Sequence, residues 1–443
     1  MKPPNILFLF PDQHRWDWLG LNPDLPCRTP NLDTLAARGL RFERCYTPSP
    51  LCSPARACLA TGRCYGRSGV ESNRDNTPTD LPTHTRALRE AGYQVAGVGK
   101  FDLHKADQSW GLDGKELLEE YGYSSGCDNE GKGDGANSYL RNGRQPAGPY
   151  LKFLADRGWA DAYVDMFSNA TDKKSGLNFT AVSPLPEQGY CDNWIAGNAA
   201  GELRDFDGDR PWYLVVNFAG PHDPYDVTAC MHAAWNDVEF PEPWNAEPEE
   251  GVMQRRRNYA AMIEIIDTRI GELIRIVEER GELDNTLIVY SSDHGEMLGD
   301  HNRWTKKVWQ EGSSHVPLIL AGPGVAEGQS TGALTSLHDL SATFLELAGA
   351  PELEGADARS FCPTLKDPTR ANRQIVTSAL GDWRMAVDRR YKCVTTAGKP
   401  TLLFDLAEDP TESTDIADKH PGLVAEMTAF LEDEYGPLQV GTP

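Results

Sequence analysis

Apolar residues arrive in short unbroken runs, and stretches of helical spacing separate them. An alternation of this βα kind predicts a largely parallel sheet covered by helices on both faces. Residues 5–10 form a continuous apolar run, as expected of a central strand buried on both sides. Further strands are expected at 93–98, 212–218, 286–290 and 316–320. Residues 30–38 read as a short helix with Thr29 as cap, Pro30 in its first turn and Gly39 as its stop. A second helix at 83–91 ends at Gly92. A long one at 254–280 sets Met262, Ile265, Ile266, Leu273, Ile274 and Val277 at helical spacing, and another spans 337–347.

From about residue 350 the pattern changes. Strand candidates at 384–395 and 401–406 precede a helix at 423–435, which predicts a smaller antiparallel α+β subdomain over 350–443 beside a main α/β unit over 1–349. The stretch 105–204 is rich in Gly, Asn and Asp, with scattered aromatics such as Trp159 and Trp194. It shows little period and is expected to be an insertion that shapes the pocket.

A composition of 40% hydrophobic and 25% charged residues allows a large core. The net charge of -23 argues against nucleic acid as a partner, since phosphates need clustered Lys and Arg. The acidic excess reads as a solvated surface, which would also repel long polyanions. No run is long enough to span a bilayer, so no membrane partner is expected. The apolar run behind Met1-Lys2-Pro3-Pro4 is too short for a signal peptide, and a cytoplasmic chain is expected. Ten cysteines in such a chain are expected to be free thiols. Cys52, Cys58 and Cys64 lie six apart, which fits no short zinc spacing.

The conspicuous polar residues share one placement. Asp12-Gln13, Lys100 with His104, His222, and Asp293-His294 each follow a predicted strand. Parallel strands deliver such ends to one edge of the sheet, where ligands bind. Singly, each is more often a turn or cap residue; together they predict one crevice. Asp12, Gln13, Asp293 and His294 offer a divalent cation three kinds of donor. Oxygen ligands suit calcium, magnesium or manganese, and the imidazole leaves manganese or zinc open. In Leu51-Cys52-Ser53-Pro54-Ala55-Arg56, Pro54 suits a first helical turn, so Cys52 would sit at an anion-favouring helix N-terminus with Arg56 nearby. By physics alone it is either a low-pKa nucleophile or a buried thiol.

Cys52-Ser53-Pro54-Ala55-Arg56 with Thr61-Gly62-Arg63 resembles the type I sulfatase signature of the alkaline phosphatase superfamily. Pro11-Asp12-Gln13, Gly99-Lys100, Pro221-His222, Ser292-Asp293-His294-Gly295 and Lys306 resemble further motifs of that family in the same order. Tyr391-Lys392 and Leu403-Phe404-Asp405-Leu406 look like its C-terminal subdomain. The resemblance implies an alkaline phosphatase-like fold and a maturase that oxidises Cys52 to formylglycine. It also implies one divalent metal, calcium before manganese or magnesium, held by Asp12, Gln13, Asp293, His294 and the modified Cys52. A thiol attacking sulfur would leave a stable thiosulfate, whereas a sulfated aldehyde hydrate can expel sulfate by losing its second hydroxyl proton. Arg56 would stabilise the diolate. Lys100, His222 and Lys306 would bind the sulfate oxygens, and His222 or Lys306 would protonate the leaving alcohol.

Two departures stand out. Gln13 replaces a second Asp, as in the branch resembling choline sulfatases and phosphonate monoester hydrolases, and Asn73 matches an Asn of that branch. The family's Gly-Lys-Trp-His-Leu reads Gly99-Lys100-Phe101-Asp102-Leu103-His104, so His104 would replace a displaced histidine. The implied reaction is release of sulfate from a small-molecule or oligosaccharide sulfate ester, with a sulfated sugar expected. Arg303, Trp304, Trp383 and Arg384 are candidate substrate residues, since aromatic faces stack on sugars and Arg binds carboxylates or second sulfates. The alternatives are a phosphonate monoester or phosphodiester hydrolase using the same site, and a non-catalytic binding protein with Cys52 unconverted.

Overall fold

The computed structural model describes residues 3–170 and 178–438. Asn5–Leu9 is buried at every position and lies at the centre of the main sheet, parallel to Trp212–Asn217 on one side and Thr286–Ser291 on the other. Among the described residues nine strands form this sheet. Gln94–Gly99 and Ser125–Asp128 continue it in parallel beyond Trp212–Asn217. On the other side His315–Ala321 runs antiparallel to both neighbours. Leu40–Tyr46 follows, edged by Gln329–Thr331 and Thr335–Ser336. The sheet is thus mostly parallel, with one strand reversed.

Alternate side chains face two different helical layers. Leu7, Leu9, Leu214 and Val216 pack with Ile195 and Leu203 of Cys191–Asp205 and with Ile270 and Leu273 of the long helix Val252–Glu279. Ile6, Phe8, Tyr213 and Val215 pack with Leu59, Leu88 and Phe344 of Cys52–Thr61, His84–Glu90 and Asp339–Ala348. Slipping the central strand by one residue would turn each set toward the wrong layer, so this pattern fixes the register.

The stretch 105–204 is more regular than its weak periodicity suggests. It holds the strand Ser125–Asp128 and the helices Lys132–Arg141, Pro149–Ala155, Ala160–Ala170 and Cys191–Asp205; residues 171–177 lie outside the described ones. Tyr150, Leu154, Tyr163 and Val164 are core residues. Buried polar groups at the turns mask the apolar stripe. Glu130 accepts the Leu151 N–H at 2.8 Å, and Lys132 pairs with Asp226 at 2.8 Å.

At the other end, the candidate strand 384–395 is a hairpin of Trp383–Val387 and Tyr391–Thr396. Val376–Leu380 and Leu402–Asp405 complete this antiparallel sheet, and Pro421–Tyr435 covers it through Met427 and Leu431. Phe361 and Leu365 still pack in the main core. Among the described residues no helix is long and apolar enough to cross a membrane.

Candidate active site

Parallel strands bring the polar residues to one edge, as the placement after each run predicts. Asp12 leaves the central strand with its N–H donating to the carbonyls of Phe218 and Gly220, both at 3.1 Å. Gly99 sits at φ 104°, and a Cβ there would lie 1.9 Å from the Asn217 carbonyl oxygen. Only glycine permits that approach, and it turns Lys100 inward, where its N–H donates to the same oxygen at 2.9 Å.

Cys52–Thr61 is buried at all ten positions. Small residues (Ser53, Ala55, Ala57, Cys58, Ala60) let it sink into the body, and Gly62 closes it in a left-handed turn at φ 64°. Its N-cap, Leu51, supplies no side-chain acceptor. Asn73 supplies one from another segment: its Oδ1 accepts the Ser53 N–H at 3.0 Å. Asn73→Ala is therefore expected to cost about 1 kcal/mol, the usual value of a lost cap. A urea titration beside Asn73→Asp, which keeps the acceptor, checks this.

Around Cys52 Sγ stand His294 Nε2 and Lys306 Nζ at 3.3 Å, Lys100 Nζ at 3.7 Å and Asp12 Oδ1 at 3.8 Å. Arg56 lies beneath, with Nε on Asp293 Oδ2 at 3.0 Å and Nη2 on Asp12 Oδ2 at 3.2 Å. Lys100 Nζ also holds Asp12 Oδ2, at 2.5 Å, and Asp102 at 3.1 Å. Lys306 Nζ donates to Gln13 Oε1 at 2.6 Å and to His222 Nε2 at 2.5 Å. His222 Nδ1 faces the Asp223 carbonyl at 2.6 Å.

Charges set the protonation states. Burial acts to raise the Asp12 carboxyl, but Lys100, His222, Lys306 and Arg56 outweigh it and hold it well below the usual range. Burial and Asp12 push the Cys52 thiol up; Lys100, Lys306 and His294 prevail and bring it well below the ordinary thiol value. Burial and then the nearby Asp12 charge raise Asp293. Two carboxylates that disfavour each other's charge share one space.

That space suits a cation. Asp12, Cys52, Asp293 and His294 are all buried, and one ligand atom from each lies within 4.8 Å of the others. Asp12 Oδ2 is taken by Arg56 and Lys100, which leaves Oδ1 facing Cys52. His294 Nδ1 faces the Gly295 carbonyl at 3.0 Å, and donation there leaves the Nε2 lone pair toward Cys52. Gln13 Nε2 donates to Asp223 at 3.2 Å and to Glu296, which orients Oε1 inward. Two carboxylates, an imidazole and residue 52 are together a donor set for a divalent cation.

The remaining predicted residues lie elsewhere. His104 pairs with Asp128 at 2.9 Å and stacks on Tyr121, and it makes no contact with Cys52. Asp102 occupies the position beside Lys100 instead. Trp304 donates to Glu249 at 2.7 Å, with Arg255 over its ring; neighbouring Arg303 is exposed. Trp383 is buried in the C-terminal sheet, and Arg384 lies over the rings of Tyr65 and Tyr435. None of these four borders the cavity beside Cys52. Trp304, Trp383 and Arg384 have partners within the protein, and Arg303 is exposed away from the cleft. Sequence reasoning missed Asp102, Asn217, Asp223 and Glu296. Asn217 Oδ1 accepts from Arg56 at 3.1 Å, and the other three hold Lys100 and Gln13. Their one signal was position, at or just past a strand end.

The cavity beside Cys52 measures about 260 Å³. A larger one, about 690 Å³, opens near Trp16 and Trp244 and contains none of the Cys52 cluster.

Residues 4–350 match the Sulfatase family. The choline-sulfatase of Rhizobium meliloti is 31% identical over 97% of this chain and 86% of its own. The N-acetylglucosamine-6-O-sulfatase of Bacteroides thetaiotaomicron is 27% identical over 88% of this chain and 74% of its own. The phosphonate monoester hydrolase of Agrobacterium radiobacter has the same fold, with a TM-score of 0.80 at 24% identity over 97% of this chain and 95% of its own. A family match over most of the length, on a mixed sheet with this cluster at its edge, places the chain in the sulfatase family of sulfuric ester hydrolases, within the alkaline phosphatase superfamily.

Proposed function

We propose that this chain releases inorganic sulfate from a small sulfate monoester, a sulfated sugar, with Cys52 converted to formylglycine by a maturase. One divalent cation, calcium by preference, would be held by Asp12, Gln13, Asp293, His294 and the converted Cys52. Catalysis would reside in residues 1–349, with 350–443 backing the cleft where Trp383 Nε1 donates to the Lys307 carbonyl at 3.2 Å. The observation that carries the reading is Cys52 itself. It sits at a helix N-terminus, inside an Asp12–Asp293–His294 cluster and within 3.7 Å of two lysine ammonium groups.

The cation would supply Lewis acidity at the sulfate and lower the pKa of the attacking hydroxyl. Formylglycine would supply a second hydroxyl, so that the sulfated residue can be freed without water attacking sulfur. The chain's own residues do the rest. Arg56, fixed by Asp12, Asp293 and Asn217, keeps positive charge under the nucleophile. Lys100 and Lys306 face the charge that develops on the sulfate oxygens. Lys306, in hydrogen-bond contact with His222, is placed to hand a proton to the leaving alcohol. Asn73 fixes the helix that aims residue 52.

A phosphonate monoester or phosphodiester hydrolase would use the same groups, and Gln13 in place of a second carboxylate suits that reading as well. A hydrolysis panel separates the two. On cation-loaded, converted protein, kcat/KM is expected to be highest for sulfate monoesters; a higher value on phosphorus esters would reject the sulfatase assignment.

A further inference from the structure

We propose that the cleft selects a small sulfate ester bearing a second anionic group, and that Lys307 is the specificity residue that reads it. The inference rests on the sulfatase reading above and narrows it to a substrate class. A cavity of about 260 Å³ accommodates a ligand the size of one sugar ring rather than a chain. Five lysines border it (Lys100, Lys105, Lys132, Lys306 and Lys307), against two carboxylates, Asp134 and Asp223. In a protein of net charge -23 this is a local reversal of sign.

Four of the five have work inside the protein. Lys100 neutralises Asp12 and Asp102, and Lys105 bridges Asp102 at 2.9 Å and Asp134 at 3.0 Å. Lys132 is buried on Asp226 and on the Pro224 carbonyl, each at 2.8 Å. Lys306 faces Cys52, Gln13 and His222. Lys307 makes no ammonium hydrogen bond or ion pair among the described residues, although its backbone is pinned. Its N–H donates to the Pro50 carbonyl at 3.1 Å, its own carbonyl accepts from Trp383, and φ is 78°. A left-handed backbone is a costly position for lysine. It sets an unpaired cation one residue from Lys306 at the mouth of the cleft.

Among the described residues, the lining also contains no Phe, Tyr or Trp. A quaternary ammonium is recognised by aromatic faces, and here it would meet lysines instead. The cleft therefore disfavours a choline-like ester, even though a choline-sulfatase is 31% identical to this chain. It favours a sulfated sugar that carries a second sulfate or a carboxylate.

The test uses converted, cation-loaded protein and four esters: glucosamine 6-sulfate, its N-sulfated counterpart, a sulfated uronate and choline sulfate. At least one two-anion sugar should exceed glucosamine 6-sulfate by about tenfold in kcat/KM, a ratio worth roughly 1.4 kcal/mol. Choline sulfate should be poorest. Lys307→Gln and Lys307→Asn, the second better suited to a positive φ, should each shrink the ratio toward unity, and salt should do the same in the parent. Comparison of the two two-anion sugars shows which anion is read. Preference for choline sulfate or for the one-anion sugar would overturn the inference, as would a ratio that neither variant moves. Sulfate release without discrimination sinks the inference and leaves the sulfatase reading standing. No release from these esters or from an aryl sulfate removes both.

Discussion

Asp293→Asn is expected to lower kcat/KM for a sulfate ester by about 10²–10³-fold, the usual loss when one preorganised electrostatic partner is removed. The chain should still fold. Arg56 would keep Asp12, Asn217 and the Lys100 carbonyl as partners, so its buried charge would not be orphaned. Burial and Asp12 already disfavour ionisation of Asp293, so neutralising it relieves repulsion in the ion-free protein. On the proposed ligand set, what is lost is the negative charge and one of the two oxygens that Asp293 offers the cation. Elemental analysis after dialysis should find the divalent cation retained by the parent and depleted in the variant, with similar melting temperatures in chelator. A variant that kept both its cation and its rate would remove Asp293 from the ligand set.

Cys52→Ala carries the larger effect. It deletes the atom that His294, Lys306, Lys100 and Asp12 all approach. Without a nucleophile, hydrolysis of an aryl sulfate should fall by on the order of 10⁴ or more, as when catalytic nucleophiles are removed elsewhere. A structural thiol would behave differently: its loss would be read in the melting temperature and leave the rate within a few-fold. Cys58 is the control, since burial pushes its thiol well above the ordinary value and it lines none of the cleft. Cys58→Ala should affect stability and leave the rate per folded molecule within a few-fold.

Most of the central sheet was legible because strands buried on both faces read as unbroken apolar runs, as in Asn5–Leu9 and Trp212–Asn217. Leu40–Tyr46 was not legible. Arg41, Glu43 and Arg44 interrupt its run, and the register shift between Phe42 and Cys45 breaks its alternation. The helices between 132 and 205 were hidden by buried polar residues, Glu130, Lys132 and Asp192, whose partners lie far off in the chain.

The residues that converge on Cys52 could be named from motif and strand-end position. Those that hold them could not, because Asp223, Glu296 and Asn217 act through contacts that only the folded chain creates. Trp383 and Arg384 show the opposite limit. An aromatic beside an arginine looks like a sugar platform, but Trp383 packs in the C-terminal sheet and Arg384 lies over the rings of Tyr65 and Tyr435.

The most direct measurement is the mass of the peptide containing Cys52 in protein purified from its native host. A residue in which one oxygen has replaced the sulfur and two hydrogens is the predicted result. An intact thiol in every molecule would contradict the account, whatever cation the neighbouring carboxylates bind.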